Sequence, residues 1–442
     1  MPGGGGLKAT RSNLALVAQR GTPKSFPTKG AKSPVARIIH AADIHLDSPL
    51  QGLGRLGDAG LADELRAATR RAYDNLVQLC INEDADLLVI AGDIYDGDWR
   101  SYQTGEYFVR GLRTLRDSGI EVALLYGNHD AESTITRRLT MPDGVRVLST
   151  SEPESAEFPD LGVVVHGQGY AVRDVTENLA RNYPQGRNGL INVGVLHTGL
   201  HGIPGHTHYA PCTINELTAC GYEYFALGHI HQRGQHAGGD THVWFSGNLQ
   251  GRKSTETGPK GALVVDTQPD TPAEVRFAEC DVARWEVLEP DISECKDVDD
   301  VVTAMSSAYE DALGQAGDRP LVVRFRLTGQ TGVAGALTRD PDRLLTEARL
   351  FIRSGNAVEK VDLDVSPPAS APTYDPELAA TVEQATTALT SDLAAVREAL
   401  SGLRGQRIWQ LTKGTEIDLD DDAAVAALAQ RAGRRLVSRL EA

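Results

Sequence analysis

The chain has 442 residues, more than one ordinary hydrophobic core accommodates, and 41% of them are hydrophobic, so a globular protein of at least two domains is expected. A formal net charge of −16 excludes a general electrostatic affinity for nucleic acid, because phosphate contacts need clustered Lys and Arg; any such role must rest on local basic patches. Five scattered cysteines with no Cys-x-x-Cys pair exclude a disulfide framework and a thiolate zinc site, and no stretch has the apolar length of a membrane span, so a reduced, cytoplasmic protein without a membrane partner is expected.

Residues 1–34 are rich in Gly, Pro, Ser, Thr and Lys, and no acidic residue precedes Asp43. The apolar patch at Leu14 is too short for a signal sequence, so the segment reads as a disordered basic tail, either a solvated extension or an arm touching DNA phosphates. From residue 35 strands alternate with helices. Leu61, Leu65, Ala68, Ala72, Leu76 and Leu79 fall on helical spacing, as do Tyr107, Phe108, Leu112 and Leu115, each set lying between short apolar runs. From about Val145 short strands dominate, among them Gly162-Val-Val-Val-His, Asn192-Val-Gly-Val-Leu, His242-Val-Trp-Phe-Ser and Gly261-Ala-Leu-Val-Val-Asp. Such βα units followed by successive strands suit an α/β architecture of two stacked sheets with helices outside.

Five apolar runs in this region end in Asp, Asn or His. They are Ile38-Ile-His-Ala-Ala-Asp-Ile-His45, Asp86-Leu-Leu-Val-Ile-Ala-Gly with Asp93-Ile-Tyr-Asp96, Val122-Ala-Leu-Leu-Tyr-Gly-Asn-His-Asp130, Val193-Gly-Val-Leu-His197, and Tyr224-Phe-Ala-Leu-Gly-His-Ile-His231. Carboxylates and imidazoles at the C-terminal ends of strands sit where open α/β sheets hold ligands, and five such ends suggest one convergent two-metal centre. Mixed carboxylate, amide and imidazole donors without thiolate favour Mn²⁺, with Fe²⁺ or Mg²⁺ as alternatives. Two cations about 4 Å apart need a shared carboxylate, and Asp93 is the natural bridge.

Asp43-x-His45, Gly92-Asp93-x-x-Asp96, Gly127-Asn128-His129-Asp130, His197 and Gly228-His229-x-His231, in that order, resemble the calcineurin-like metallophosphoesterases. The wording His45-Leu-Asp-Ser-Pro, Tyr209-Ala-Pro and Tyr224-x-Ala-Leu-Gly-His-Ile-His resembles the SbcD/YhaO-type bacterial DNA repair exonucleases, over roughly Arg37 to Asp281. The resemblance implies a four-layer α/β/β/α sandwich over residues 35–285. It implies one metal held by Asp43, His45, Asp93 and His231 and a second held by Asp93, Asn128, His197 and His229. His129, oriented by Asp130, would be the general acid for the leaving oxygen, a role imidazole suits near neutral pH.

Other residues near these motifs are candidates for substrate contact. Tyr95, Asp96 and Trp99 follow the bridging carboxylate, where an aromatic ring either stacks on an unpaired base or packs its loop. The turn Ser246-Gly-Asn-Leu-Gln-Gly-Arg-Lys offers Arg252 and Lys253 to a phosphate, or is a plain strand-to-loop turn. His201, His206 and His208 read as loop residues, and Arg70-Arg71 and Arg137-Arg138 as solvated faces.

Residues 286–366 read as a small α+β unit, with a helix from Val298 to Leu313, a strand from Leu321 to Leu327 and a helix from Pro341 to Arg353. The resemblance implies a cap beside the metal site, and Arg324 and Arg326 are its basic candidates. A Pro-rich linker over 367–374 leads to a helical region, 375–442, whose stripe Leu378, Val382, Ala385, Leu389 and Leu393 either packs on the core or docks a partner. The resemblance implies an SMC-type, SbcC-like ATPase as that partner, and a homodimer is open. The expected function is Mn-dependent phosphodiester hydrolysis of DNA, as an exonuclease. The alternatives are a phosphodiesterase for nucleotides or other small phosphate esters, and a non-catalytic DNA-end-binding subunit.

Overall fold

In a computed structural model of the chain, the described residues are 35–48, 59–96, 102–132, 139–201, 209–368, 376–401 and 418–440. The expectations placed on residues 1–34, Trp99, Arg137, Arg138, His206, His208 and most of the Pro-rich linker fall outside them. Short apolar runs form β1 (Ala36–Ala41), β2 (Leu87–Ala91) and β3 (Glu121–Leu125), paired in parallel with β2 between the other two. All of Leu87-Leu-Val-Ile-Ala is buried, since a central parallel strand is covered on both faces and has no polar side to alternate with. β4 (Val145–Val147) extends this sheet beyond β3. On the other edge β11 (Gly261–Gln268) and β12 (Thr271–Glu279) add antiparallel strands, giving the order β12-β11-β1-β2-β3-β4.

The second sheet comprises β5 (Glu154–Phe158), β6 (Val163–Gly167), β7 (Ile191–His197), β8 (Tyr224–Gly228), β9 (Gly234–Ala237) and β10 (His242–Phe245), in the order β5-β6-β7-β8-β10-β9. Ile38, Val89, Ala91 and Leu125 of the first sheet meet Val165, Val193, Val195 and Ala226 of the second in one apolar layer. The outer face of the first sheet is covered by α2 (Ala68–Asn82) and α3 (Tyr102–Asp117) through Ala72, Leu76, Phe108 and Leu112. Each such fully buried leucine contributes about 1.5–3 kcal/mol relative to exposure. The outer layer of the second sheet is thinner: α5 (Ile214–Thr218), a 3₁₀ turn at Leu179–Asn182 and loops, held by Leu217, Tyr222 and Tyr183. These layers form an α/β/β/α sandwich, with the one-turn helix α4 (Asn128–Glu132) following β3.

The helix expected from Leu61 to Leu79 is two helices, α1 (Ala59–Arg66) and α2, separated at Ala67. The break lets one apolar stripe serve two partners. Leu61, Ala62 and Leu65 of α1 turn to Trp285, Val322 and Ala357, whereas α2 lies on the first sheet.

Those partners belong to a third sheet of three parallel strands, β13 (Arg284–Leu288), β14 (Leu321–Gln330) and β15 (Ala357–Ser366), with β14 in the middle. Its crossovers are α6 (Val298–Ala316), started by the Asp297 side chain accepting from the Asp300 N–H, and the pair α7 (Ala334–Arg339) and α8 (Pro341–Phe351). Arg324 and Arg326 are not free basic residues. Arg324 is buried on Glu359 through two bonds of 3.1 and 3.0 Å, and Arg326 bonds Glu289 at 2.6 Å.

At the C-terminal end, α9 (Pro376–Ser391), α10 (Leu393–Ala399) and α11 (Asp422–Leu440) gather around Val396, Leu419, Val425 and Ala429, and α11 also packs on α7 and β15. The expected stripe on α9 is not buried: Leu378 is 48% exposed and Leu389 42%.

Candidate metal centre

The three parallel strands β1, β2 and β3 end on the same edge, and their loops stay in register beyond the sheet. Asp43 N–H donates to Gly92 O at 3.0 Å, His45 N–H to Asp93 O at 3.0 Å and Leu46 N–H to Ile94 O at 2.9 Å. Asp43, His45, Asp93 and His229 have φ of 51°, 44°, 50° and 99°, a region costly for side chains other than glycine and one where strain collects at functional sites. Close approach of the two sheets requires Gly228, where a Cβ would stand 2.0 Å from the Ala91 carbonyl oxygen.

The side chains of Asp43, His45 and His231 form one cluster, Asp43, Asp93 and His197 a second, and His45, Asp93 and His129 a third, so Asp93 stands at the overlap. Asp93 Oδ2 is 3.4 Å from His197 Nε2 and 3.8 Å from His45 Nε2. Asn128 Oδ1 lies 2.9 Å from His197 Nε2, while His197 Nδ1 meets the Ala91 carbonyl at 2.9 Å. The His229 ring stands edge-on to His197 at 5.2 Å, and its backbone N–H donates to both oxygens of Asp43. Every ligand-type residue from the five strand ends therefore reaches the same edge of the sandwich.

Asp130 does not orient His129. Its buried carboxylate accepts the backbone N–H groups of Gly127, Ile94 and Tyr95 at 2.9, 3.2 and 3.0 Å, fastening the β3 turn to the β2 loop. Asp96 faces the imidazoles instead, with Oδ1 3.4 Å from His129 Nδ1 and 3.3 Å from His45 Nδ1, and it accepts from Ser48 at 2.7 Å. Tyr95 is fully buried against Phe108 and cannot stack on a base.

Arg252 and Lys253 part company: Lys253 is exposed, whereas Arg252 is pinned between Glu256 at 3.2 Å, Ser48 at 3.2 Å and Asp96 at 3.5 Å. Glu256, which sequence reasoning missed, is buried, meets His231 Nδ1 at 2.8 Å and accepts from Asn248 and the Arg252 backbone. The only signal in the sequence was a lone acid just after the Arg252 turn.

The electrostatics follow from burial and these pairings. Burial, with Arg252 beside it, holds His45 down to about 3 and so neutral. Burial alone would also depress His197, but the Asp93 carboxylate raises it to about 9. Asp130 is raised to about 7 by burial and by Asp93. Burial works against the Asp96 charge, yet His45 and Arg252 keep the carboxyl far below the usual range, and His231 and Arg252 do the same for Glu256.

These donors fit a divalent cation. His45 and His231 point Nε2 at each other across 3.1 Å, while a carboxylate stands at each Nδ1 and fixes the ring proton there. Two lone pairs thus face each other beside the oxygens of Asp43 and Asp93, a set of acceptors that only a cation reconciles. Such a cluster at the strand ends of a two-sheet sandwich defines a class, the divalent-metal phosphoesterases.

Residues 36–233 match the calcineurin-like phosphoesterase family, and residues 285–366 match the middle domain of the metallophosphoesterase YhaO. The chain is 32% identical over 298 residues to an uncharacterized metallophosphoesterase, YhaO, of Bacillus subtilis (strain 168), covering 66% of this chain and 71% of that one. It is 26% identical over 216 residues to the DNA double-strand break repair protein Mre11 of Methanopyrus kandleri, covering 44% of each chain. It is 30% identical over 132 residues to the SbcD component of the nuclease SbcCD of Bacillus subtilis (strain 168), covering 28% of this chain and 31% of that one. The chain belongs to the calcineurin-like metallophosphoesterases and shares its long match with the YhaO type. It is a phosphoester hydrolase by family, with homology to the Mre11 and SbcD nucleases.

Proposed function

We propose that this chain is an Mn²⁺-dependent phosphodiesterase that degrades DNA from an end. The observation that carries the reading is the overlap of two ligand clusters at Asp93 with an accessible imidazole, His129, at their margin. Asp43, His45, Asp93 and His231 would hold one ion and Asp93, Asn128, His197 and His229 the other. When bound, the ions supply Lewis-acid activation and charge neutralisation at the phosphoryl group. His129 gives a proton to the leaving oxygen, and Asp96 keeps its Nδ1 side turned inward, since their atoms stand 3.4 Å apart. Homology to proteins named for nuclease action and double-strand break repair supports DNA as the substrate. In this reading residues 286–366 are a cap beside the site, and the leucines exposed on α9 dock the coil of an SMC-type ATPase.

The net charge of −16 and the pairing of Arg324 and Arg326 favour the second reading, hydrolysis of small phosphodiesters. Purified protein with Mn²⁺, offered end-labelled single- and double-stranded DNA and bis(p-nitrophenyl) phosphate, separates the two. Release of labelled nucleotides supports the nuclease, and turnover of the chromogenic ester alone replaces it by the small-ester enzyme.

A further inference from the structure

The basic residues singled out from the sequence near the site do not offer a surface for a polyanion, since Arg252, Arg324 and Arg326 are spent on carboxylates. A different cationic surface lies on α3. A cavity of about 620 Å³ opens between α2 and α3, lined by Arg70, Gln103, Tyr107, Arg110, Arg113 and Thr140, with Glu106 as the acid on its wall. The guanidinium carbons of Arg70 and Arg110 stand 4.9 and 4.6 Å from the centre of the Tyr107 ring. A guanidinium held on an aromatic face keeps its N–H edges free for a phosphate. Arg110 and Arg113 are exposed, and neither forms an ion pair among the described residues.

Two further facts give this cavity a direction. Arg70 grips both oxygens of Asp47, at 2.6 and 2.5 Å, and Asp47 lies two residues beyond His45, so one wall is fixed to the loop that carries metal-site residues. Tyr102, Gln103, Tyr107, Arg110 and Arg113 share one side of α3, which begins six residues after Asp96. At about 1.5 Å per residue, the row from Tyr102 to Arg113 extends roughly 17 Å away from the metal loops. That is room for several phosphates, which recur about every 3.4 Å of axis along one strand of a duplex. Aromatic rings interleaved with arginines are the composition of a backbone track for nucleic acid.

We infer that the α2–α3 cavity is a subsite for non-scissile phosphates of a polynucleotide whose end lies at the metal centre. This rests on the DNA reading given above. The test is fluorescence anisotropy of labelled single-stranded and duplex DNA titrated with the full chain, Ca²⁺ replacing Mn²⁺ so that the probe stays intact. The comparison is among the wild type, the double variant Arg110→Glu with Arg113→Glu, and Arg353→Glu on the far unit as a control for charge alone, with melting temperatures to confirm folding. The double variant should weaken DNA binding by about tenfold or more and lower the slope of log affinity against log salt by about 0.9 for each phosphate lost, while Arg353→Glu leaves both unchanged. Wild-type binding that the double reversal does not alter, or that Arg353→Glu weakens equally, overturns the subsite and leaves the DNA reading standing. A wild type that binds no DNA overturns both.

Discussion

At the scale of single residues, Asp93 is the group whose removal has the widest effect, because both ligand clusters include it. Asp93→Ala is expected to lose both ions and all turnover, read by metal content and phosphodiester hydrolysis; retention of two ions per chain would remove the shared-carboxylate assignment. His129→Ala should keep its metals and lose about 10²–10⁴-fold in rate, with esters of good leaving groups least affected. Metal loss in that variant would make His129 a ligand. Glu256→Gln tests the carboxylate behind His231: an amide can place its own N–H against Nδ1 and so favour the tautomer that points a proton at the metal. One of the two ions should then bind about 10–100-fold more weakly by calorimetry while the other is held normally, an outcome that general destabilisation would not produce. The residues of the cluster were legible because each follows a strand-like run by a fixed few positions. Glu256 was not, since it meets His231 across 25 positions of chain and only the fold joins them. Asp130 misled for the opposite reason: adjacency to His129 suggested a pairing, but its carboxylate serves backbone amides.

At the scale of elements, the strands and helices of the sandwich follow the apolar periodicity closely, and the departures have physical causes. Nothing in the spacing from Leu61 to Leu79 marks the break at Ala67, because α1 and α2 are both amphipathic and differ only in what they cover. The short helix α7 was hidden in a segment of Gly, Ala and Thr with little periodicity of its own. Two substitutions probe the packing of these elements. Trp285 is 1% exposed among Leu61, Leu65 and Val322 and donates its indole N–H to the Gly251 carbonyl at 3.2 Å. Trp285→Ala should cost about 3–5 kcal/mol and lower the calorimetric transition of the β13–β15 unit before that of the sandwich. A single unshifted transition would show that this contact contributes little. Gly228→Ala forces a methyl onto the Ala91 carbonyl beside His197, so metal affinity and melting temperature should fall together.

At the scale of the whole molecule, the sequence made the order of the units readable but not the way their surfaces are used. The stripe on α9 has the spacing of a buried face, and amphipathicity alone does not name what covers it. With Leu378 and Leu389 exposed and α11 anchored on α7 and β15, a chain ending at Pro368 should still fold and hydrolyse phosphodiesters but fail to co-purify with an SMC-type ATPase. Aggregation of that shorter chain would assign the C-terminal helices to the core instead. The two large sheets come from successive stretches of chain and meet mainly through side chains of an apolar layer. Asp43, His45, Asp93 and Asn128 stand on one sheet and His197, His229 and His231 on the other, so an ion pair bound there acts as a rivet through one end of the sandwich. At a thousandfold excess over its dissociation constant a single ion adds about 4 kcal/mol to stability, and that increment resists the parting of the sheets. Chelation should therefore speed amide hydrogen exchange at the His197 end of β7 and in β8 well before it reaches β5 at the far edge, and the enzyme's resistance to proteolysis becomes a readout of its metal supply.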